Sequence, residues 1–163
     1  MESRRLILRP LEAQDAEAVF GYRGLHEVAR YQYWEPFTLR QAEGFVDRYA
    51  GQPLRGDGEW ESAAIIEKQS GTLIGDCALK ADGTTAEIGC NIHPVYQGRG
   101  FASEALGILM EYCIATLGIQ QIAGITDVQN TASVKLMESL GMSRDPGFEN
   151  KLMCKGLSCT EHR

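Results

Sequence analysis

The sequence predicts one α/β domain built on a mixed sheet and spanning residues 1–163. Three observations carry this: the early strands are joined by tight turns, the later strands are separated by amphipathic helices, and no repeat, linker or low-complexity segment interrupts the order. A chain of 163 residues with 44% hydrophobic and 23% charged residues matches ordinary globular usage and suffices for a single core.

The elements follow in order. Residues 4–9 alternate around Leu6 and Leu8 and read as a first strand. Pro10 and Asp15 introduce a helix from Ala16 to about His26, and a second helix covers Leu39 to Ala50. Between them lies an aromatic segment, Tyr31, Tyr33, Trp34, Pro36 and Phe37, and after them a Gly/Pro-rich loop from Gly51 to Gly58. Ala63 to Ile66 reads as a strand, and Leu73, Cys77 and Leu79 give the next strand an apolar face. Asp82-Gly83 closes a hairpin onto a strand from Ala86 to Ile92. In that strand Ala86, Ile88, Cys90 and Ile92 face one way, and Glu87, Gly89 and Asn91 the other. His93-Pro94 ends it. A helix follows with the stripe Ala105, Leu106, Leu109, Met110, Cys113, Ile114 and Leu117, stopped by Gly118. Gln121 to Thr126 reads as a strand, Asn130 caps a helix that runs through Leu140 to Gly141, and the tail from Met142 adds one or two short strands.

Composition excludes several functions. A net charge of −6 without a Lys/Arg cluster argues against nucleic acid and favours approach of a cationic partner such as an amine. No apolar run reaches the roughly 18 residues of a membrane span, and the opening Met1-Glu2-Ser3-Arg4-Arg5 has no secretory pattern, which places the chain in the cytoplasm. The five cysteines form no paired framework and read as reduced thiols. Cys154, Cys159 and His162 lack a fourth ligand and regular spacing, so no metal is expected. The chain is read as a monomer or a homodimer.

The chemistry lies in the loop after the strand ending at Ile92. Gly98 and Gly100 precede a helix, where missing Cβ atoms let backbone N–H groups approach an anion and the helix dipole favours negative charge. The loop lacks the Gly-Lys-Ser/Thr ending of a P-loop and the three-glycine spacing of a dinucleotide turn. Gln97-Gly98-Arg99-Gly100-Phe101-Ala102 instead resembles the Gln/Arg-x-x-Gly-x-Gly/Ala signature of the GNAT acetyltransferase superfamily. The resemblance extends to the whole stretch from His93 to Ala105, with Ser103-Glu104-Ala105 following the loop, and to Arg4-Arg5-Leu6-Ile7-Leu8-Arg9-Pro10, Ile74-Gly75-Asp76, Glu87-Ile88-Gly89, Asn130-Thr131-Ala132-Ser133 and Leu140-Gly141-Met142. Together these resemble the branch containing the ribosomal-protein N-terminal (serine/alanine) acetyltransferases.

The resemblance implies a mostly antiparallel central sheet, flanked by helices and splayed where acetyl-CoA enters. It implies that backbone groups from Gly98 through Arg99, Gly100, Phe101 and Ala102 to Ser103 hold the pyrophosphate, with Gln97 opening the motif. Asn91 and Ile92 would serve the pantetheine arm and the thioester oxygen, and Asn130 and Ser133 would touch the arm from the other side. The reaction implied is attack of a primary amine, on a small molecule or a protein N-terminus, upon the thioester. Glu87 is the candidate base, because alternation puts it on the Asn91 face and carboxylates in partly dry clefts have raised pKa values. Its other reading is a solvated or ion-paired strand residue. Relatives carry a tyrosine acid four residues beyond the Ser133 position, where this chain has Met137. That leaves Ser133 as a proton donor or as a cofactor contact only. Tyr33 and Trp34 line the acceptor site or belong to the core. A chain that kept the loop and lost the acid also fits a non-catalytic acyl-CoA-binding module.

Overall fold

The computed structural model describes residues 1–163, the side chain of Leu157 excepted. In order it contains β1 (Leu6–Pro10), α1 (Ala16–Arg23), α2 (His26–Ala29), α3 (Leu39–Tyr49), β2 (Glu61–Glu67), β3 (Leu73–Asp82), β4 (Thr85–Ile92), α4 (Phe101–Ala115), β5 (Gln121–Ala123), β6 (Thr126–Asp127), α5 (Thr131–Ser139), β7 (Glu149–Cys154) and β8 (Leu157–His162). Five strands form one sheet in the order β1-β2-β3-β4-β5, and three form a second in the order β6-β8-β7. Every pairing is antiparallel except β4 with β5, so the domain has the mixed, mostly antiparallel α/β architecture that the sequence predicts.

The large sheet is covered on both faces. Ala63 and Ile65 of β2 join Leu8, Leu79 and Ile88 in a core beneath Leu106, Leu109 and Cys113 of α4. Ala64 and Ile66 point the opposite way, onto Val19 and Tyr22 of α1 and Ala42 and Val46 of α3. A strand buried on both sides loses the polar alternation of a half-exposed one, which is why β2 reads as a short apolar run. The α4 stripe is narrower than the sequence predicts, because Ile114 is 59% exposed.

Two element boundaries differ from expectation. The helix predicted from Ala16 to His26 breaks into α1 and α2 around Gly24 and Leu25, the latter in extended geometry with φ −90° and ψ 132°. Arg23 is the last residue of α1, and its side chain turns into the core to reach Asp76, so a tertiary ion pair accompanies the helix end. The strand predicted from Gln121 to Thr126 splits into β5 and β6, which belong to different sheets. At the break Gly124 packs on Met137, whose Cε, the flexible end of the side chain, lies 2.8 Å from where a Cβ would stand. The tail forms two strands, joined at Lys155-Gly156, both with positive φ (53° and 75°), the signature of a tight type I′ hairpin.

One contact fixes how β3 meets β4. A Cβ on Gly75 would lie 2.1 Å from the Asn91 carbonyl oxygen, well inside contact distance and against rigid backbone. Gly75→Ala is therefore expected to cost at least about 2 kcal/mol, since the strands must part to admit a methyl group. Chemical denaturation would measure this, and a loss within error of zero would show that the two strands move apart freely.

Candidate active site

The site begins where β4 loses a neighbour. β4 pairs with β5 only at Thr85↔Gln121, Ala86↔Ile122 and Glu87↔Ala123, and then continues alone on that side to Ile92. The His93 N–H is bonded to the Ile74 carbonyl of the β3 side at 2.8 Å. Strand alternation therefore turns the N–H and C=O of Ile92 away from β3, into the fork between the sheets, and the Asn91 backbone toward β3. The Ile92 carbonyl accepts a hydrogen bond from Gln97 Nε2 at 2.8 Å, so Gln97 ties the following loop back to the open strand.

The loop is held from the other side by β1. Gly98 and Gly100 sit at φ 70° and 78°, which only glycine adopts at little cost, and the first backbone N–H groups of α4 have no intrahelical acceptor. Arg5 Nη1 donates to the Arg99 carbonyl at 3.0 Å, and Arg5 Nε and Nη2 both reach Glu104 Oε2 at 2.6 Å. Glu104 also accepts from the Arg5 backbone N–H at 3.0 Å and from Ser3 Oγ at 2.6 Å. Burial opposes ionisation of Glu104, yet these hydrogen bonds from Ser3 and Arg5 hold its carboxyl below the usual range. The Arg5 guanidinium lies 4.5 Å from the centre of the Phe101 ring, which is itself buried. Phe101 and Ala102 thus give their side chains to packing and only their backbone to the cradle, while Ser103 is part-exposed. Arg99 covers the Phe101 ring at 4.9 Å and stands 3.8 Å from Glu67.

Across the fork, Asn130 Oδ1 accepts from the Ser133 N–H at 3.2 Å and caps α5 as the sequence predicts. The Ser133 hydroxyl has no hydrogen-bond partner among the described residues. Met137 lies one turn further on, against Gly124. A cavity of about 910 Å³ opens here; it is bordered by Glu87, Gly124 and Met137 and by Lys80, Arg144 and Arg163, and it does not include Gly98–Ser103.

Glu87 is half-buried and lies opposite Lys80 in the β3·β4 register. Burial raises its pKa above the ordinary carboxyl value and Glu161 adds to the rise, against opposition from Lys80 and Arg163. Glu161, which is buried, takes hydrogen bonds from the Tyr33 hydroxyl and from Asn150 Nδ2. Tyr33 is 68% exposed overall, but partial desolvation of its hydroxyl and this carboxylate raise the phenol, keeping it a donor. Tyr33 thus reaches from the α2–α3 connection to the second sheet, whereas Trp34 turns onto Phe37 at 4.9 Å and the Arg23 guanidinium at 4.9 Å. The two aromatic residues predicted together have different surroundings.

No group of His, Cys, Asp or Glu side chains among the described residues is arranged to hold a metal ion. Nor does any helix among them have the length and apolarity to cross a membrane. Sequence reasoning assigned no role to Arg5, Glu104, Arg23, Asp76 or Glu161. Arg5, Asp76 and Glu104 stand within stretches that the resemblance covers, so their positions were visible while their pairings, between residues distant in the chain, were not.

Comparison with known proteins agrees with this geometry. The acetyltransferase (GNAT) domain model matches residues 5–143. An uncharacterised N-acetyltransferase of Bacillus licheniformis, p20, is 31% identical over 158 residues, covering 94% of this chain and 88% of that protein. Spermidine N(1)-acetyltransferase of Escherichia coli K12 is 27% identical over 152 residues, covering 91% of this chain and 78% of that protein. The crystal structure of a GNAT-family acetyltransferase from Bacillus anthracis superposes with a TM-score of 0.89 at 26% identity, covering 99% of this chain and 94% of that one.

The β1 clamp sets how rigid the loop is before any ligand arrives. Arg5→Met keeps the stem and removes the fork, and losing charge-assisted bonds worth about 1.5 kcal/mol is expected to speed exchange of the Glu104 amide, which is bonded to the Gly100 carbonyl at 3.1 Å, about tenfold. Hydrogen exchange resolved by residue measures this. Unchanged protection would mean that the glycine geometry alone holds the loop.

Proposed function

Because the chain belongs to the GNAT acetyltransferase family, we propose that it transfers an acetyl group from acetyl-CoA to a primary amine by direct attack. The observation that carries the reading is the conjunction at the fork: an open Ile92 N–H, and behind it a left-handed glycine loop clamped at a helix N-terminus. GNAT enzymes use acetyl-CoA as cosubstrate, which supplies a thioester carbonyl as electrophile and a thiolate as leaving group.

The chain's own groups fit that molecule. The free N–H groups from Gly98 to Ser103 suit the pyrophosphate, since a helix start offers both donors and a favourable dipole. The Ile92 N–H suits the thioester oxygen, where a fixed donor gains most as negative charge develops. Asn130 and Ser133 approach from the facing helix, with the Ser133 hydroxyl free to bond the arm or to return a proton. Met137 donates none, and the thiolate leaves without one near its own pKa of about 8.5.

The amine needs more help, because an alkylamine is protonated at neutral pH. The ammonium first releases one proton to water; Glu87 then takes up the second, which the amine sheds as its nitrogen bonds to the acetyl carbon and the carbon–sulfur bond breaks, its electron pair leaving on sulfur. Four residues of strand, about 13 Å, separate Glu87 from Asn91, so this proton crosses to it through water. The acceptor is read as a cationic amine. The chain carries a net charge of −6, which favours approach of a cation, and a relative acts on spermidine. A protein N-terminus is the second class.

The test is thiol release from acetyl-CoA with spermidine, other amines and peptides with free Ser or Ala N-termini. Amine-dependent release supports transfer, and acetyl-CoA binding without it supports a non-catalytic binding module. Glu87→Gln is expected to lower kcat/KM about 100-fold at neutral pH and to recover partly as pH rises, because the amide accepts no proton. In the wild type the acid limb of the pH profile should fall above the ordinary carboxyl range, following the raised Glu87 pKa. The linked stability runs the other way. A raised carboxyl contributes stability that is whole below its unfolded value near 4.5 and lost as pH rises through its folded value. Glu87→Gln should therefore melt above the wild type at neutral pH, with the gap closing as pH falls below that unfolded value. A variant that melts lower at neutral pH would contradict this.

A further inference from the structure

Asp76 is fully buried, yet neither the glycine loop nor the proton path uses it. Its Oδ1 accepts from the Tyr22 hydroxyl at 2.7 Å and from Arg23 Nε at 3.2 Å, and its Oδ2 accepts from Arg23 Nη2 at 2.6 Å. Tyr22 is fully buried and the Arg23 side chain only 7% exposed. The Arg23 guanidinium is enclosed by aromatic rings, 4.0 Å from Phe45, 4.9 Å from Trp34 and 5.3 Å from Phe37. Burying two charges costs several kcal/mol per ion before their attraction is counted, and a well-packed apolar replacement is often at least as stable. Stability alone is a weak reason for this pair to be here.

Its position suggests a better one. A carboxylate has about four lone-pair sites, and three are filled by donors from α1. The remaining capacity faces Asn91, its cross-strand partner, whose Nδ2 stands 3.5 Å from both carboxylate oxygens. Asn91 immediately precedes Ile92, and its carbonyl is the atom against which Gly75 closes. The end of β4 has no support from β5, so its side-chain anchor on this face comes from Asp76 through Asn91.

We propose that Asp76 is a positioning residue, braced by Tyr22 and Arg23, which holds Asn91 and thereby aims the Ile92 N–H at the reacting carbonyl. This rests on the acetyltransferase reading above. The charged pair gives α1 a fixed, directional grip on the one strand end that the sheet leaves half-supported. A fork of two oxygens and a planar guanidinium fixes orientation as well as distance, which an apolar contact does not. Misplacing a catalytic donor by about 1 Å is enough to lose a large factor in rate.

The experiment compares Asn91→Ala, Asp76→Asn and the double variant, with an amine that the wild type acetylates. Asn91 is only partly buried, so Asn91→Ala should keep its melting temperature within about 2 °C. It should lower kcat about tenfold at saturating substrates, with KM for acetyl-CoA within about twofold, because the glycine loop is untouched. Asp76→Asn should lower kcat by a similar factor as well as melting earlier. The double variant should lose no more rate than the worse single one, because both break one chain of contacts. A purely structural role would lower the melting temperature and leave kcat unchanged below the transition. Wild-type kcat in Asn91→Ala overturns the proposal even if Asp76→Asn fails to fold, and so do two rate losses that multiply in the double variant. A wild type that acetylates no amine removes the acetyltransferase reading, and this proposal with it; an active wild type with an equally active Asn91→Ala removes only the proposal.

Discussion

The parting of β4 from β5 after Glu87↔Ala123 is the constraint around which the molecule is arranged. A strand that loses its neighbour exposes backbone donors and acceptors, which must find partners or remain in water. Here the exposed stretch is short, is held on its other side by β3, and is bounded by the Gln97 bond to the Ile92 carbonyl. Gly124 and Met137 pack at the crotch of the fork, and the three strands of the second sheet hang beyond it. Gly75 lets β3 close on β4 at this end, because a Cβ there would meet the Asn91 carbonyl.

Around the fork the chain spends arginines where a lysine would not serve. Arg5 bridges Glu104 and the Arg99 carbonyl, and Arg23 meets both oxygens of Asp76 while lying among three rings. Each needs several donors in one plane and tolerates loss of water better than an ammonium does. The acidic overall balance therefore hides one internal cation, Arg23, and one part-exposed cation, Arg5. Opposite them, burial rather than a charge partner dominates at Glu87. Two arginine-paired carboxylates hold structure, while the raised carboxyl near the fork is the one proposed to accept the amine's proton.

The element order was legible in the sequence because it rests on local signals. Alternation marked β1 and β4, Asn130 announced the α5 cap, and the glycine pair marked the loop. The misjudged boundaries are those decided by distant contacts. The end of α1 coincides with the turn of Arg23 toward Asp76, 53 residues away, and the break between β5 and β6 coincides with the packing of Met137 on Gly124. The same limit applied to the site. Glu87 and the loop stand out by type and position, but Glu161 lies in a tail whose six-residue strand gave no hint that it faces Tyr33. Burial gives Glu161 a role, and burial is not local.

The bond between Tyr33 and Glu161 spans 128 positions of the chain. Lys155 at the hairpin tip reaches the Ala29 carbonyl across 126 more, so the wall facing Glu87 is stitched from the two extremities of the polypeptide. Such long loops close late, after local helices and hairpins have formed. During synthesis, when residues are added at about 5–20 per second from the N-terminus, the helices of the first third emerge well before their partners in the tail exist. The cradle around Gly98–Ser103 is encoded earlier and closes against β1 as soon as α4 is released. A ribosome-bound chain lacking its last two strands therefore already has the glycine loop and its β1 clamp but no finished wall beside Glu87, so this side of the fork is the last part of the molecule to close.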